Sequence, residues 1–185
     1  MTTSFNELLE RWQRLPAWAS SLSCVSGSER CYPVIRELAS RQSADFCRKA
    51  LDAAWLSLLP AKQDSSLDLY LGEIGELPES STDDSNLPEF HAMRAISVLA
   101  YALDAVAGER PPAQCHKYSV SALLQLSADL GGAALEAIET QDHESVRKKL
   151  EGVDELNENV VSELKKLSIE MASSYTDAAK SYKAR

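Results

Sequence analysis

Between Ala44 and Leu59 the chain reads ADFCRKALDAAWLSLL, and Phe46, Ala50, Leu51, Ala54, Trp55 and Leu58 recur at steps of mostly three and four. That spacing gathers them on one side of an α-helix; a strand would need alternation at every second residue. The same period returns along most of the chain. Its 7 glycines and 7 prolines fall mostly between periodic segments rather than inside them, which predicts long helices and short turns instead of a strand-and-turn fold. Apolar residues make up 44% of the 185, enough to fill a core without disulfide or metal staples. The expected fold is all-α: residues 1–185 form a single-domain bundle of about seven or eight helices.

The helices can be placed in order. SFNELLERWQRL opens as a helix, with Ser4 as cap and Glu7 completing a capping box. Pro16 suits the first turn of a second segment carrying Trp18 and Leu22, which should break at Gly27. Ser28 is placed to cap a third helix through Tyr32, Ile35 and Leu38, with Pro33 near its first turn, where a missing N–H costs least. Ser43 precedes the Ala44–Leu59 helix and Pro60 closes it. A shorter helix is expected in SSLDLYLGEIGEL, weakened by Gly72 and Gly75. Residues 78–88, PESSTDDSNLP, read as an exposed acidic loop within the domain. EFHAMRAISVLAYALDAVAG is the most apolar helix, burying Met93, Ile96, Leu99, Ala100, Leu103 and Val106. After the turn ERPPAQ, CHKYSVSALLQLSADLGG is its antiparallel partner. Val146, Leu150, Val153, Asn157, Val160, Leu164, Leu167 and Met171 then form a narrow seam. They predict one long C-terminal helix, capped by Asp142, lying against the bundle or a partner. Residues 176–185 read as a tail that frays.

Charge narrows the function classes. With 19 basic and 28 acidic residues the formal net charge is −9, and such a surface repels nucleic acid and anionic lipid. Neither is an expected partner. MTTSFNELLERWQRLP lacks the apolar core of a secretory signal, and the apolar run AISVLAYALDAVA is interrupted by Asp104 and too short to span a bilayer. Four cysteines without a CxxC pair fit reduced thiols in a cytoplasmic protein.

No spaced catalytic constellation stands out. Cys115 and His116 are adjacent, which points a thiol and its base apart rather than together. His91, His116 and His143 show no HxxxH or HExxH spacing, and no Glu-x-x-His pair occurs, so no metal or cofactor is expected. Phosphate-cradling glycine loops and GxSxG are missing as well. Asp52 and Asp104 interrupt apolar helices near Trp55 and Tyr101, so each needs hydrogen-bond donors or a raised pKa. A buried network explains them; the alternative is a hydrolase or transferase pocket using Asp52, Asp104, Cys31 or Glu29. Around the central loop, Glu73, Glu76, Glu79, Asp83, Asp84 and Glu89 cluster beside Tyr70 and Phe90. They suit a docking face for a basic protein, with the two rings as anchors.

One stretch carries a family likeness. SERCYP, Ser28–Pro33, is similar to the Cys-Glu-Arg-Met-Tyr-Pro segment of the YjaG-like bacterial family of helical proteins of unknown function. KALDAAWLSLL looks like that family's leucine, aspartate and tryptophan helix, and FHAMRAISVLAYALDAVAG occupies the position of its central apolar helix. Glu29, Arg30, Tyr32 and Pro33 match the segment, whereas Ser28 stands where the family often has cysteine and Cys31 stands at its methionine. The resemblance spans roughly Trp12 to Ile169. It implies an all-α fold and supplies no reaction; the departure at Ser28 argues against thiol chemistry there. Glu29, Arg30, Tyr32, Pro33, Asp52 and Trp55 then read as a structural motif that locks a helix start into its neighbours. The expected function is a non-enzymatic binding protein for a basic partner. One concrete form is an immunity protein that covers the cleft of a bacterial nuclease toxin. A third reading is a homodimer or larger oligomer joined through residues 146–171.

Overall fold

The periodic stretches fold as helices in a computed structural model that describes residues 5–62 and 64–184. They are α1 (Phe5–Trp12), α2 (Ala17–Leu38), α3 (Arg41–Ser57), α4 (Leu67–Glu73), α5 (Pro88–Ala107), α6 (Pro112–Leu150), α7 (Glu158–Met171) and α8 (Ser173–Lys183). Short 3-10 turns at Pro60–Lys62, Ile74–Glu76 and Pro78–Ser81 link the middle elements, and no strand occurs among the described residues. The protein is an all-α bundle. Its central trio is α2, α5 and α6; α3, α7 and α8 pack on α2, and α1 lies on α6. Through Ala172, α7 and α8 join into one long, bent C-terminal helix. By length and composition alone the 20-residue α5 could cross a bilayer, a longer apolar element than the sequence reading allowed. Ala92, Ala95, Ile96, Val98, Leu99, Ala102 and Leu103 nevertheless bury it within the bundle.

Helix α2 overturns the expected break at Gly27. The residue sits inside the helix, and a Cβ there would come within 2.6 Å of Leu123 Cδ1 on α6, so the glycine permits close helix contact rather than a turn. Ser28 caps nothing; its hydroxyl donates to the Cys24 carbonyl one turn back, at 2.9 Å. Pro33 is likewise interior, not near a helix start. The physical reason is burial. Almost every residue from Ala19 to Cys31 is buried, and packing on all sides outweighs the local cost of glycine and proline.

Three further expectations are corrected. Helix α3 starts at Arg41, with Ser40 rather than Ser43 as cap: the Ser40 hydroxyl accepts the Ser43 N–H at 3.1 Å. Residues 78–88 are not wholly an exposed loop, because the turn Pro78–Ser81 folds back and buries Glu79 to 3% exposure. The 146–171 seam is not one helix. Asp142 lies inside α6, the chain turns at Gly152 with φ 79°, and Asn157 leaves the seam to cap α7, accepting the Val160 N–H at 3.1 Å. Val146, Leu150 and Leu164 of that seam pack into the protein's own core. The tail expected to fray from residue 176 stays helical to Lys183, held by the fully buried Tyr175 and Ala179. Ser4 and Arg185 lie outside the described residues.

Candidate functional site

Glu29 and Arg30 stand in mid-helix, about 100° apart around the axis, and each belongs to a different network. Glu29 receives both terminal nitrogens of Arg48, at 2.7 and 3.0 Å, and the indole N–H of Trp55 at 2.8 Å. Arg48 also grips Asp52 one turn along α3, and Lys165 of α7 reaches the same carboxylate at 3.0 Å. The Arg48 guanidinium lies over the Tyr32 ring, 4.9 Å from its centre. Partial burial works against the charge on Arg48, but the hydrogen bonds and charges of Glu29 and Asp52 outweigh it and raise its pKa. Partial burial also opposes the Asp52 charge; the Lys165 hydrogen bond and Arg48 hold that carboxyl below its ordinary range. So Glu29, Tyr32, Asp52 and Trp55 meet across α2, α3 and α7.

Arg30 turns inward and is fully buried. Two of its nitrogens donate to the Glu139 carboxylate, and the third donates to Ser26 Oγ at 2.9 Å. Tyr175 also donates to Glu139, at 3.1 Å, and its hydroxyl meets Ser127 at 2.7 Å. Ser26 pairs with Ser168 at 2.7 Å. One charged pair thereby ties α2, α6, α7 and α8 together, with each guanidinium nitrogen and both Glu139 carboxylate oxygens engaged. Burial, and next the Glu139 charge, push the Tyr175 hydroxyl well above its ordinary pKa. Half-buried Asp142 nearby is pushed up to about 6, first by burial, while Arg30 opposes the shift and Glu139 adds to it.

The enzyme alternative looked to a pocket near Asp52, Asp104, Cys31 or Glu29. Glu29 and Asp52 are both held by Arg48, while Asp104 sits on α5 with Arg110 at 3.1 Å. Burial raises the Asp104 pKa against the pull of Arg110. All four cysteines are buried and unpaired. Burial pushes the thiols of Cys24 and Cys31 far up and that of Cys47 up to about 12, so none is a ready thiolate. Among the described residues no three His, Cys, Asp or Glu side chains are grouped to hold a metal.

Sequence spacing did not foresee a histidine pair. His116 and His143, both buried on α6 on either side of its bend, bring their Nε2 atoms to 3.2 Å and stack nearly parallel. Trp12 of α1 packs on both rings at 4.8 Å. Burial pushes His116 down to about 4 and, joined by the charge of His116, takes His143 well below its ordinary value. The bend at Gly132 brings these rings together, and no spacing rule reveals it.

The acidic cluster is better defined in space than in sequence. Residues 63–93 contain eight Asp or Glu and no Lys or Arg, so this segment carries nearly all the net negative charge. Asp68, Glu73, Glu76, Asp83, Asp84 and Glu89 are exposed. Glu79 is not part of that surface: its carboxylate accepts the Ser40 N–H at 2.8 Å and the Ser43 hydroxyl at 2.6 Å, which locks the start of α3. Nor are the two rings free anchors. Tyr70 stands edge-on to Phe46 at 5.4 Å, and Phe90 lies beneath Arg94 at 4.7 Å. The exposed apolar groups of the segment are Leu69 and Leu87, at 55% and 45%. Leu69 and Tyr70 of α4 face Phe46 of α3 across an open groove of about 690 Å³, rimmed by Asp45 and Glu73 but also by Arg41 and Lys49.

Compared with known protein families, with curated proteins and with solved structures, the chain matches none.

Proposed function

We propose that the chain is a binding protein whose acidic segment, residues 63–93, docks a basic protein partner. The observation that carries this reading is charge segregation. One segment holds eight acids and no Lys or Arg, nearly all the excess negative charge, whereas acidity serving solubility alone would be spread; Leu69 and Leu87 are exposed within it, as Leu56, Tyr118, Ile138 and Ile169 are elsewhere. The leucines supply desolvated contact and the surrounding carboxylates supply steering and register. An immunity protein that masks the cationic cleft of a nuclease toxin is one concrete form. The likeness of SERCYP to the YjaG-like family adds a fold expectation to this reading and no reaction. For the oligomer reading, Val146, Leu150 and Leu164 are packed in the protein's own core, while Val153, Val160 and Leu167 of the same seam stay partly exposed along a groove.

The test is capture of a partner from a lysate of the source cells on the immobilised protein. A basic protein should be retained at about 0.05 M salt and released near 1 M, where the screening length falls to about 3 Å. The variant Glu73→Lys/Glu76→Lys/Asp83→Lys/Asp84→Lys should lose it, and Leu69→Ala should weaken it. Retention of the same protein by the lysine variant would overturn the reading.

A further inference from the structure

Helix α7 leaves one side uncovered. Together with the end of α6 and the turn after it, α7 borders a groove of about 410 Å³ whose apolar residues are Val153, Val160, Leu164 and Leu167. Leu164 is buried at its floor, while Val153, Val160 and Leu167 are half-buried. Four exposed charged side chains line the same groove: Lys149 from α6, and Glu163, Lys166 and Glu170 from α7. Apolar side chains half out of water within a rim of charges have the make-up of an interface.

The rim narrows what can cover it. No ion pair joins any of these four charges to another described residue. Unpaired lysines and glutamates are ordinary on a surface; here both signs occur in equal number, two of each, around one apolar floor. A purely basic partner would meet the lysines as like charges, and a purely acidic one the glutamates. A matching occupant carries both signs in reverse order, and a second copy of α7 does. Turned antiparallel about an axis midway between Glu163 and Lys166, it sets Glu163 against Lys166 of the second copy, and symmetry repeats the pair. Val160 then lies within about 3 Å, measured along the helix, of Leu167 of the second copy, which is two residues of helix rise. The charges of the groove cancel locally, and at physiological salt the rest of the −9 charge is screened beyond about 8 Å.

We infer that this groove is a self-association surface, through which two copies of the chain pair by antiparallel α7 helices. The work is divided along the seam. Val146 and Leu150 belong to the core of each protomer, whereas Val160, Glu163, Lys166 and Leu167 join the two. One helix face is at the small end of specific interfaces, so pairing is reversible, with a dissociation constant of about 10–100 μM.

Sedimentation equilibrium of the whole protein at about 0.15 M salt, over protein concentrations from about 5 to 500 μM, tests this. The expected result is monomer at the low end and dimer, nothing larger, at the high end. Glu163→Lys and Lys166→Glu, both at exposed positions, should each weaken pairing at least about tenfold, because symmetry makes each change count twice. An equimolar mixture of these two variants should recover the dimer, since every facing pair is then again of opposite sign. Val160→Asp should abolish pairing and keep the helix, as checked by circular dichroism, because an acid suits the first turn of α7. A wild type monomeric to the top of the range, assemblies larger than two, single variants that pair like wild type, or a mixture no better than its components would each overturn the inference. So would a monomeric wild type that captures a different protein and loses it on Val160→Asp, which would assign the groove to that protein. Capture of a basic protein by residues 63–93 is read separately, with the lysine variant of that segment, and stands or falls apart from pairing.

Discussion

Glu29 and Arg30 are neighbours in the chain, and a helix turns them to opposite tasks. Glu29 faces α3 and ends at Arg48 and Trp55; Arg30 enters the core and ends at Glu139. The buried pair is where single changes should be most costly. Glu139→Gln leaves a fully buried guanidinium without a counter-charge and should destabilise by about 3–5 kcal/mol in urea unfolding. The paired change Arg30→Met/Glu139→Leu removes both charges and should recover most of that loss. The histidines give a pH signature. His116 is ordinarily near 6.5 but about 4 when folded, so the unfolded chain takes up the proton first as pH falls. Its contribution is complete above about 6.5 and is lost progressively down to about 4. His143 acts in the same direction. Asp142 acts oppositely: its pKa rises from 3.8 to about 6 on folding, so its contribution is complete below 3.8 and disappears as pH rises through about 6. His143→Phe should flatten the acid limb of the stability profile, and Asp142→Asn should steepen it and raise stability at pH 7. Stability at closely spaced pH values checks both.

At the level of the helix, periodicity was the reliable guide and punctuation was not. The Ala44–Leu59 stripe and the apolar run of α5 could be read because the hydrophobic spacing that defines them is local. Gly27, Ser28 and Pro33 looked like a break and a cap because each has that local preference. In a helix buried on every side the preference loses to packing, and nothing within α2 announces that α6 approaches at Gly27. The same holds for Asn157, counted as a seam position and found as a cap. Residues joined across long stretches of chain, such as Arg30 with Glu139 and His116 with His143, leave no trace in spacing at all. The acidic character of residues 63–93 was legible in part, and only the fold separated buried Glu79 from its exposed neighbours. Two substitutions test these placements. Ser40→Ala should cost about 1 kcal/mol by removing the α3 cap, whereas Ser28→Ala, which removes no cap, should cost less. Gly27→Ala should destabilise by about 1–3 kcal/mol, because Leu123 must give way in a packed interior. Denaturation midpoints distinguish these outcomes from a helix that truly began at Ser28.

For the molecule as a whole, stability and recognition occupy separate territory. The charged networks that hold α2, α3, α6, α7 and α8 together are buried or half-buried, while among the acids of residues 63–93 only Glu79 ties one element to another; Asp64 and Asp84 accept hydrogen bonds solely within their own turns, from Ser66 and Asn86. Reversing Glu73, Glu76, Asp83 and Asp84 should therefore shift stability by no more than about 0.5 kcal/mol per site while eliminating partner capture. A paired measurement of unfolding and retention on the same variant checks this.

Gly132, with φ 64° and ψ −159°, adopts a backbone geometry essentially reserved for glycine. Everything beyond it in α6 takes its aim from that one pivot, including the imidazole that meets His116 and the carboxylate that meets Arg30. A single methyl group added there would strain the pivot itself and, through it, disturb two remote contacts at once, loosening a ring pair and uncovering a charge.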